Sequence, residues 1–131
     1  MIVLDTQVAL WMALNPECLS PKAKAAITRE RRQDGLVLAG TSVWELGMMF
    51  ARGRLRYPGP ARAAVRAVLE ATQVRMQDMT EAIALTAAEL PAGFPGDPAD
   101  RIIAATAIEL GVALVTKDER IRASGVVETI W

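Results

Sequence analysis

The stretch DPADRIIAATAIELGVALVTKD, Asp97 to Asp118, decides the fold class. Asp97 and Pro98 form a helix start, a carboxylate N-cap followed by proline at the first helical position. Ala99 to Leu110 carries the helix, and Gly111 ends it as a C-cap. Val112 to Thr116 follows at once as an apolar run, short enough and β-branched enough to be a buried strand. A helix that gives way directly to a buried strand, which then runs into an acidic residue, belongs to an α/β chain.

The same alternation continues outward. Ile2 to Leu4 is a strand ending in Asp5-Thr6, where a helix starts; Gln7 to Leu14 is that helix, stopped near Asn15-Pro16. Ser20 caps a second helix that opens on Pro21 and runs to Gln33, with Asp34-Gly35 ending it. Leu36 to Gly40 is the second strand. Thr41-Ser42 starts a helix over Val43 to Arg52, closed by Gly53, and Pro58-Gly59-Pro60 is a loop. Ala61 to Thr72 places apolar residues at 61, 64, 65, 68 and 69 and Arg62, Arg66 and Glu70 opposite, an amphipathic helix. Val74 to Met79 reads as a half-buried third strand. Thr80 caps a helix over Glu81 to Leu90, and the prolines and glycines of Pro91 to Pro98 make a loop. Glu119 to Ala123 is a short helix and Val126 to Ile130 a last strand. The expectation is one α/β domain over residues 1–131, with a mainly parallel sheet flanked by helices on both faces.

Composition narrows the chemistry. The chain has no histidine, which removes Ser-His-Asp and Cys-His catalysis and mixed His/Cys zinc sites. What remains is carboxylates, hydroxyls, Lys and Arg, and carboxylates prefer hard cations such as Mg²⁺ or Mn²⁺. Apolar residues make up 52% of the chain, much of it alanine, which suits helices lying close against a sheet. No apolar run approaches the ~18 residues of a membrane span, and the N-terminus has no basic segment of the kind a signal peptide needs. The single cysteine, Cys18, fits a reducing cytoplasm and reads as a small apolar filler. The formal net charge is zero, with basic clusters at Arg29, Arg31 and Arg32 and at Arg52, Arg54 and Arg56 that read as solvated faces.

Four acids stand at informative places. Asp5 follows strand one and Asp118 strand four; Glu45 lies in the first turn of the helix after strand two, and Asp100 in the first turn of the helix before strand four. In an open parallel sheet, ligands bind beyond the carboxyl ends of the strands. Each acid also has an ordinary explanation. Ser42-Val43-Trp44-Glu45 matches a capping box, Asp97-Pro98-Ala99-Asp100 resembles another, and Asp5 and Asp118 suit turn and cap positions. Together they are harder to explain: like charges ~5 Å apart repel by roughly 3 kcal/mol at an effective dielectric of 20. A fold keeps such a cluster with a cation, a shared proton or a compensating function.

These pieces resemble the PIN-domain ribonucleases, in particular the VapC-type toxins of bacterial and archaeal toxin–antitoxin pairs. The resemblance rests on Ile2-Val3-Leu4-Asp5-Thr6, on Ser42-Val43-Trp44-Glu45-Leu46, on Asp97 to Ala107, and on Leu114-Val115-Thr116-Lys117-Asp118, in the family's order and across nearly the whole chain. It implies a PIN-like sheet of strand order 3-2-1-4-5. It also implies that Asp5, Glu45, Asp100 and Asp118 are the catalytic, metal-holding set, with Thr6 and Thr116 as supporting hydroxyls. Asp97 is the candidate fifth ligand, with its N-cap role as the ordinary alternative. Where relatives often carry a histidine before this aspartate, the chain has Gly93-Phe94-Pro95-Gly96.

The implied activity is endoribonuclease cleavage by water activated on one or two Mg²⁺ or Mn²⁺ ions, leaving a 5′-phosphate and a 3′-hydroxyl. Arg101, Lys117 and Arg120 are the candidate phosphate contacts, with surface ion pairing as their alternative. The implied partners are an antitoxin protein, the RNA substrate and a second copy in a homodimer. Trp11, Trp44, Met48, Met49 and Phe50 are candidates for the antitoxin groove, with core packing as the ordinary reading. Two rivals stand beside this one. A non-catalytic PIN-like binding module would keep its acids as helix caps. A carboxylate-and-Mg²⁺ phosphatase would want a second aspartate two residues after Asp5, where the chain has Gln7.

Overall fold

In the computed structural model, which describes residues 1–131, the three central strands are apolar on both faces, as strands covered by helices on either side must be. β1 (Ile2–Leu4), β2 (Leu36–Ala39) and β4 (Leu114–Val115) are buried at every position, while β3 (Arg75–Gln77) and β5 (Thr129–Ile130) close the edges. All four pairings are parallel, in the order β3-β2-β1-β4-β5. The register sets Leu4 beside both Leu38 and Val115, so Asp5, Ala39 and Thr116 leave the sheet side by side.

Alternation along the strands feeds two cores. Ile2, Leu4, Leu36, Leu38 and Val115 face one side, where they meet residues of α1 (Thr6–Leu14), α2 (Pro21–Arg32), α3 (Gly40–Ala51) and α4 (Ala61–Thr72). Val3, Val37, Ala39 and Leu114 face the other, against α6 (Pro98–Leu110) and Ile121 of α7 (Glu119–Ser124). α6 reaches the sheet through Ala104 and Ala107, both fully buried, and Ala105 turns toward Ile83 and Ala87 of α5 (Glu81–Glu89). Alanine at these positions removes the side-chain bulk that would hold the helices apart. Gly111 ends α6 at φ +66, and its N–H donates to the carbonyls of Ala107 and Ile108.

Most predicted elements form within a residue or two of their expected limits, and the departures have local causes. The strands are shorter, because pairing extends only where a neighbour lies alongside; the third is an exposed edge of three residues rather than six, with Met76 in solvent. A 3₁₀ turn over Pro16–Cys18 follows α1, and it leaves Cys18 exposed rather than filling a core gap. The largest departure is at α3. Its helix begins at Gly40, so Ser42 sits inside the first turn, fully buried, and Glu45 lies in the second. The capping box expected from Ser42 and Glu45 therefore does not form. No helix is long and apolar enough to cross a membrane.

Candidate active site

The carboxyl edge of the sheet gathers the four acids named from the sequence. Asp5, Glu45, Asp100 and Asp118 line one open pocket together with Thr6, Lys117 and Glu119. Five carboxylates face one ammonium there, so the pocket is strongly anionic.

Each acid is held differently. Asp5 precedes α1 but its side chain caps nothing; the Thr116 hydroxyl donates to its Oδ2 at 2.6 Å. Burial raises the pKa of Asp5 and the neighbouring Asp118 charge adds to the rise, with the Thr116 hydrogen bond opposing them. Thr116, fully buried, also accepts the Asp118 backbone N–H at 3.1 Å, so one hydroxyl ties two acid-bearing segments together.

Glu45 is held by Thr6. The Thr6 Oγ1 lies 2.5 Å from Glu45 Oε1 and 2.8 Å from Ser42 Oγ. A hydroxyl has one hydrogen, and an ionised carboxylate can only accept. Thr6 therefore donates to Glu45 and accepts from Ser42, a relay in which the buried serine orients the threonine. Burial raises the pKa of Glu45, with the charges of Asp5 and Asp97 adding and the Thr6 bond opposing.

Asp118 is a helix cap: its Oδ1 accepts the N–H groups of Arg120 at 2.8 Å and Ile121 at 3.2 Å, and its Oδ2 lies 3.3 Å from the Arg120 guanidinium. Burial pushes its pKa up, but these bonds outweigh it and the net shift is down.

Asp100 has no such help. Its backbone N–H donates to Asp97 Oδ1, but no group of the chain donates to its carboxylate. Burial, then the charges of Asp97, Asp5, Asp118 and Glu45, push its pKa up to about 7. Asp97 is a true N-cap, its Oδ1 accepting from Ala99 N at 2.8 Å and Asp100 N at 3.3 Å, with Oδ2 left free. Only this half of the second capping box forms, because the Asp100 side chain does not return to Asp97.

The donor set is all oxygen and fits a hard divalent cation. No three of the acids are drawn tightly enough to cage an ion by themselves. An ion there would be held by one or two of them directly and by the others through water.

The three cations behave differently. Lys117 lines the acidic pocket, its ammonium 5.6 Å from the centroid of the Trp11 ring. Arg120 is exposed and pairs with Asp118. Arg101 is turned away. Its guanidinium donates to the carbonyls of Ala87, Leu90 and Pro91 at 3.2–3.4 Å and lies over the Phe94 ring, tying α6 to the end of α5. Arg101, expected as a phosphate contact, thus does not line the acidic pocket. The buried Ser42 hydroxyl is the supporting group that sequence reading assigned elsewhere, as a cap.

Residues 2–126 match the PIN domain. The chain belongs to the PIN-domain family. It is 41% identical over 121 residues to Ribonuclease VapC22 of Mycobacterium tuberculosis, covering 92% of this chain and 89% of that protein. Among solved PIN-like structures, VapBC2 from Rickettsia felis, bound to a DNA fragment from its promoter, superposes with a TM-score of 0.73 at 15% identity, over 98% of this chain and 97% of that one. Mycobacterium tuberculosis VapC20, described as a sarcin-ricin loop cleaving toxin, gives 0.66 at 21% identity, over 98% of each chain. These two likenesses establish the fold, and the identity to VapC22 makes the chain a PIN-domain ribonuclease of the VapC type.

Proposed function

We propose that this ribonuclease depends on Mg²⁺ or Mn²⁺ held by Asp5, Glu45, Asp100 and Asp118, with Asp97 Oδ2 within the same acidic field. The observation that carries the proposal is Asp100, half-buried among four other acids with no donor of its own and a pKa of about 7. Arg120 and Lys117 offset that charge only in part, and a bound cation would offset the rest. When bound, the ion would lower the pKa of a water and offset charge on the phosphoryl oxygens.

The chain's own groups supply the positioning. Thr116 fixes Asp5, and the Ser42–Thr6 relay fixes Glu45. The Lys117 ammonium is the one cation lining the pocket, suited to hold a phosphate of the RNA at the edge of the acids. Cleavage through an activated water leaves a 5′-phosphate and a 3′-hydroxyl. By analogy with the VapBC relatives, the chain acts as the toxin of a toxin–antitoxin pair, as a homodimer restrained by a small antitoxin protein.

The rival reading, a binding module whose acids survive as caps, loses its support at Glu45, which lies inside α3, and is weakened at Asp5, the N-cap residue of α1 whose side chain makes no capping hydrogen bond. The test is a melting curve with and without millimolar Mg²⁺ or Mn²⁺, paired with cleavage of total cellular RNA. The ions are expected to raise the melting temperature and to support cutting, and Asp5→Asn to remove both effects. A wild-type protein that neither ion stabilises, and that leaves RNA intact, refutes the proposal.

A further inference from the structure

Beside the acidic pocket, and sharing Glu45 and Met49 with it, lies a second cleft between α3 and the first turn of α6. Its α3 wall carries Trp44 and Met48, four residues apart and so on one helix face, with Glu45 and Met49 beside them and Arg52 at the C-cap; Asp97, Pro98 and Ala99 form the opposite wall. Trp44 is 62% exposed, directly beside Glu45 in sequence, and no aromatic ring or cation of the chain lies against its indole.

At the far end of the α3 wall the chain folds back. Gly53, at φ +72, allows a Schellman turn: Arg54 N–H donates to the Met49 carbonyl at 3.0 Å and Gly53 N–H to Phe50 at 3.2 Å. The turn returns Arg54 to the cleft that Arg52 already lines. Neither arginine makes an ion pair. The Arg52 backbone stands ~12 Å along the helix from that of Trp44, and Arg54 lines the same cleft from the turn beyond.

We infer that this cleft is a nucleotide subsite for the RNA strand, with a base stacked on Trp44 and the adjoining phosphates held by Arg52 and Arg54. The inference rests on the ribonuclease reading and extends it to the residues that hold the strand. RNA is a polyanion, and five carboxylates at the reaction pocket repel it; the cations that hold it must stand outside the acids but in line with them. The cleft meets that need because it shares Glu45 and Met49 with the pocket, while its two arginines lie at the end away from the acids Asp5, Asp100 and Asp118. An aromatic platform joined to a cationic track is also the pattern that holds single strands without base readout, since every base offers a π-face.

The test measures anisotropy of a fluorescein-labelled pool of random-sequence 20-nucleotide single-stranded RNAs in EDTA, together with KM and kcat for cleavage in Mg²⁺ or Mn²⁺. Trp44→Ala is expected to weaken binding about five- to 150-fold, to raise KM more than it lowers kcat, and to keep the wild-type melting temperature. Trp44→Phe should restore most of the affinity, which a merely structural role would not require. Arg52→Ala with Arg54→Ala should flatten the slope of log affinity against log salt by about 1.4, two single-strand phosphate contacts' worth. If Trp44→Ala binds the pool within twofold of an active wild type, the subsite is refuted while the ribonuclease reading stands. Loss of affinity for a protein partner with RNA binding intact refutes it equally and makes the cleft a protein-docking face. A wild type that neither binds the pool nor cuts cellular RNA removes the ribonuclease reading, and this inference with it.

Discussion

Replacing Asp100 by asparagine should stabilise the metal-free protein at alkaline pH, an unusual outcome for a change at an active site. The reason is the sign of its shift. Asp100 titrates at about 7 in the folded chain against an ordinary 3.8. Between those values the folded state binds more protons than the unfolded one, so stability falls as pH rises through the window. The carboxylate is only about half buried, and solvent screening reduces the cost of ionising it to about 1–2 kcal/mol above pH 8. Asparagine removes the charge and keeps the shape, and it breaks no bond, because the carboxylate accepts none from the chain. For a domain of this length the gain corresponds to about 4–7 °C in melting temperature. The assay is calorimetry of wild type and Asp100→Asn in EDTA at pH 5 and pH 8.5. The variant should melt higher at both, by the smaller margin at pH 5, where only the lower part of the window from 3.8 to about 7 has been crossed, and by the full margin at pH 8.5. Adding Mg²⁺ or Mn²⁺ at pH 8.5 should raise the wild type and leave the variant nearly unmoved. A variant that melts below the wild type at pH 8.5 without metal would refute the reasoning, since the acids would then not be crowding one another.

Three further changes separate chemistry from scaffolding. Glu45→Gln should abolish RNA cleavage while changing stability by less than about 1 kcal/mol, because the amide oxygen still accepts from Thr6; a fully active variant would remove Glu45 from the site. Thr116→Val should cost about 2 kcal/mol in chemical denaturation, by stranding the Asp118 N–H and stripping Asp5 of its donor. It should also move the acid limb of the pH–rate profile to higher pH, and Thr116→Ser should restore both. Arg101→Ala should lower the denaturation free energy by about 1–2 kcal/mol with RNA affinity unchanged, and Arg101→Lys should not rescue it, since lysine lacks the planar fork that reaches several carbonyls. Lost RNA affinity at unchanged stability would instead make Arg101 a phosphate contact.

What was legible in the sequence was what local chemistry determines. Asp97 before Pro98, Asp118 before α7 and Gly111 after α6 do what their neighbours in sequence dictate. The Ser42–Glu45 spacing misled because a serine three residues before a glutamate fits a capping box only if the helix starts at the serine. Here the chain enters α3 directly from β2, and Ser42 spends its hydroxyl on Thr6, 36 residues away. The Thr116–Asp5 bond spans 111 residues, and Arg101 reaches back to the end of α5. No local pattern announces such contacts, because they exist only once the sheet has set the register. Trp44 shows the same limit from the other side. An apolar residue at helical spacing reads as core, and only the packed structure shows its indole left in solvent.

The capping reading and the catalytic reading of the acids are, in the end, answers to different parts of one electrostatic problem. α1, α6 and α7 begin at Asp5, Asp97 and Asp118, so three helix N-termini turn their positive ends toward the cluster. Each offsets nearby negative charge by about 0.3–1 kcal/mol. Hydrogen bonds then settle most of the acids individually: Thr116 holds Asp5, Thr6 holds Glu45, and backbone amides hold Asp97 and Asp118. Asp100 receives the dipole of its own helix and the charge of Arg120 at a distance, but no hydrogen bond. A scaffold selected for caps alone has no reason to leave its most crowded carboxylate without a donor. The same scaffold selected to bind a cation has every reason to, because a carboxylate already satisfied by protein donors has less to gain from the ion. The unsatisfied acid is therefore the part of the cluster that capping does not explain.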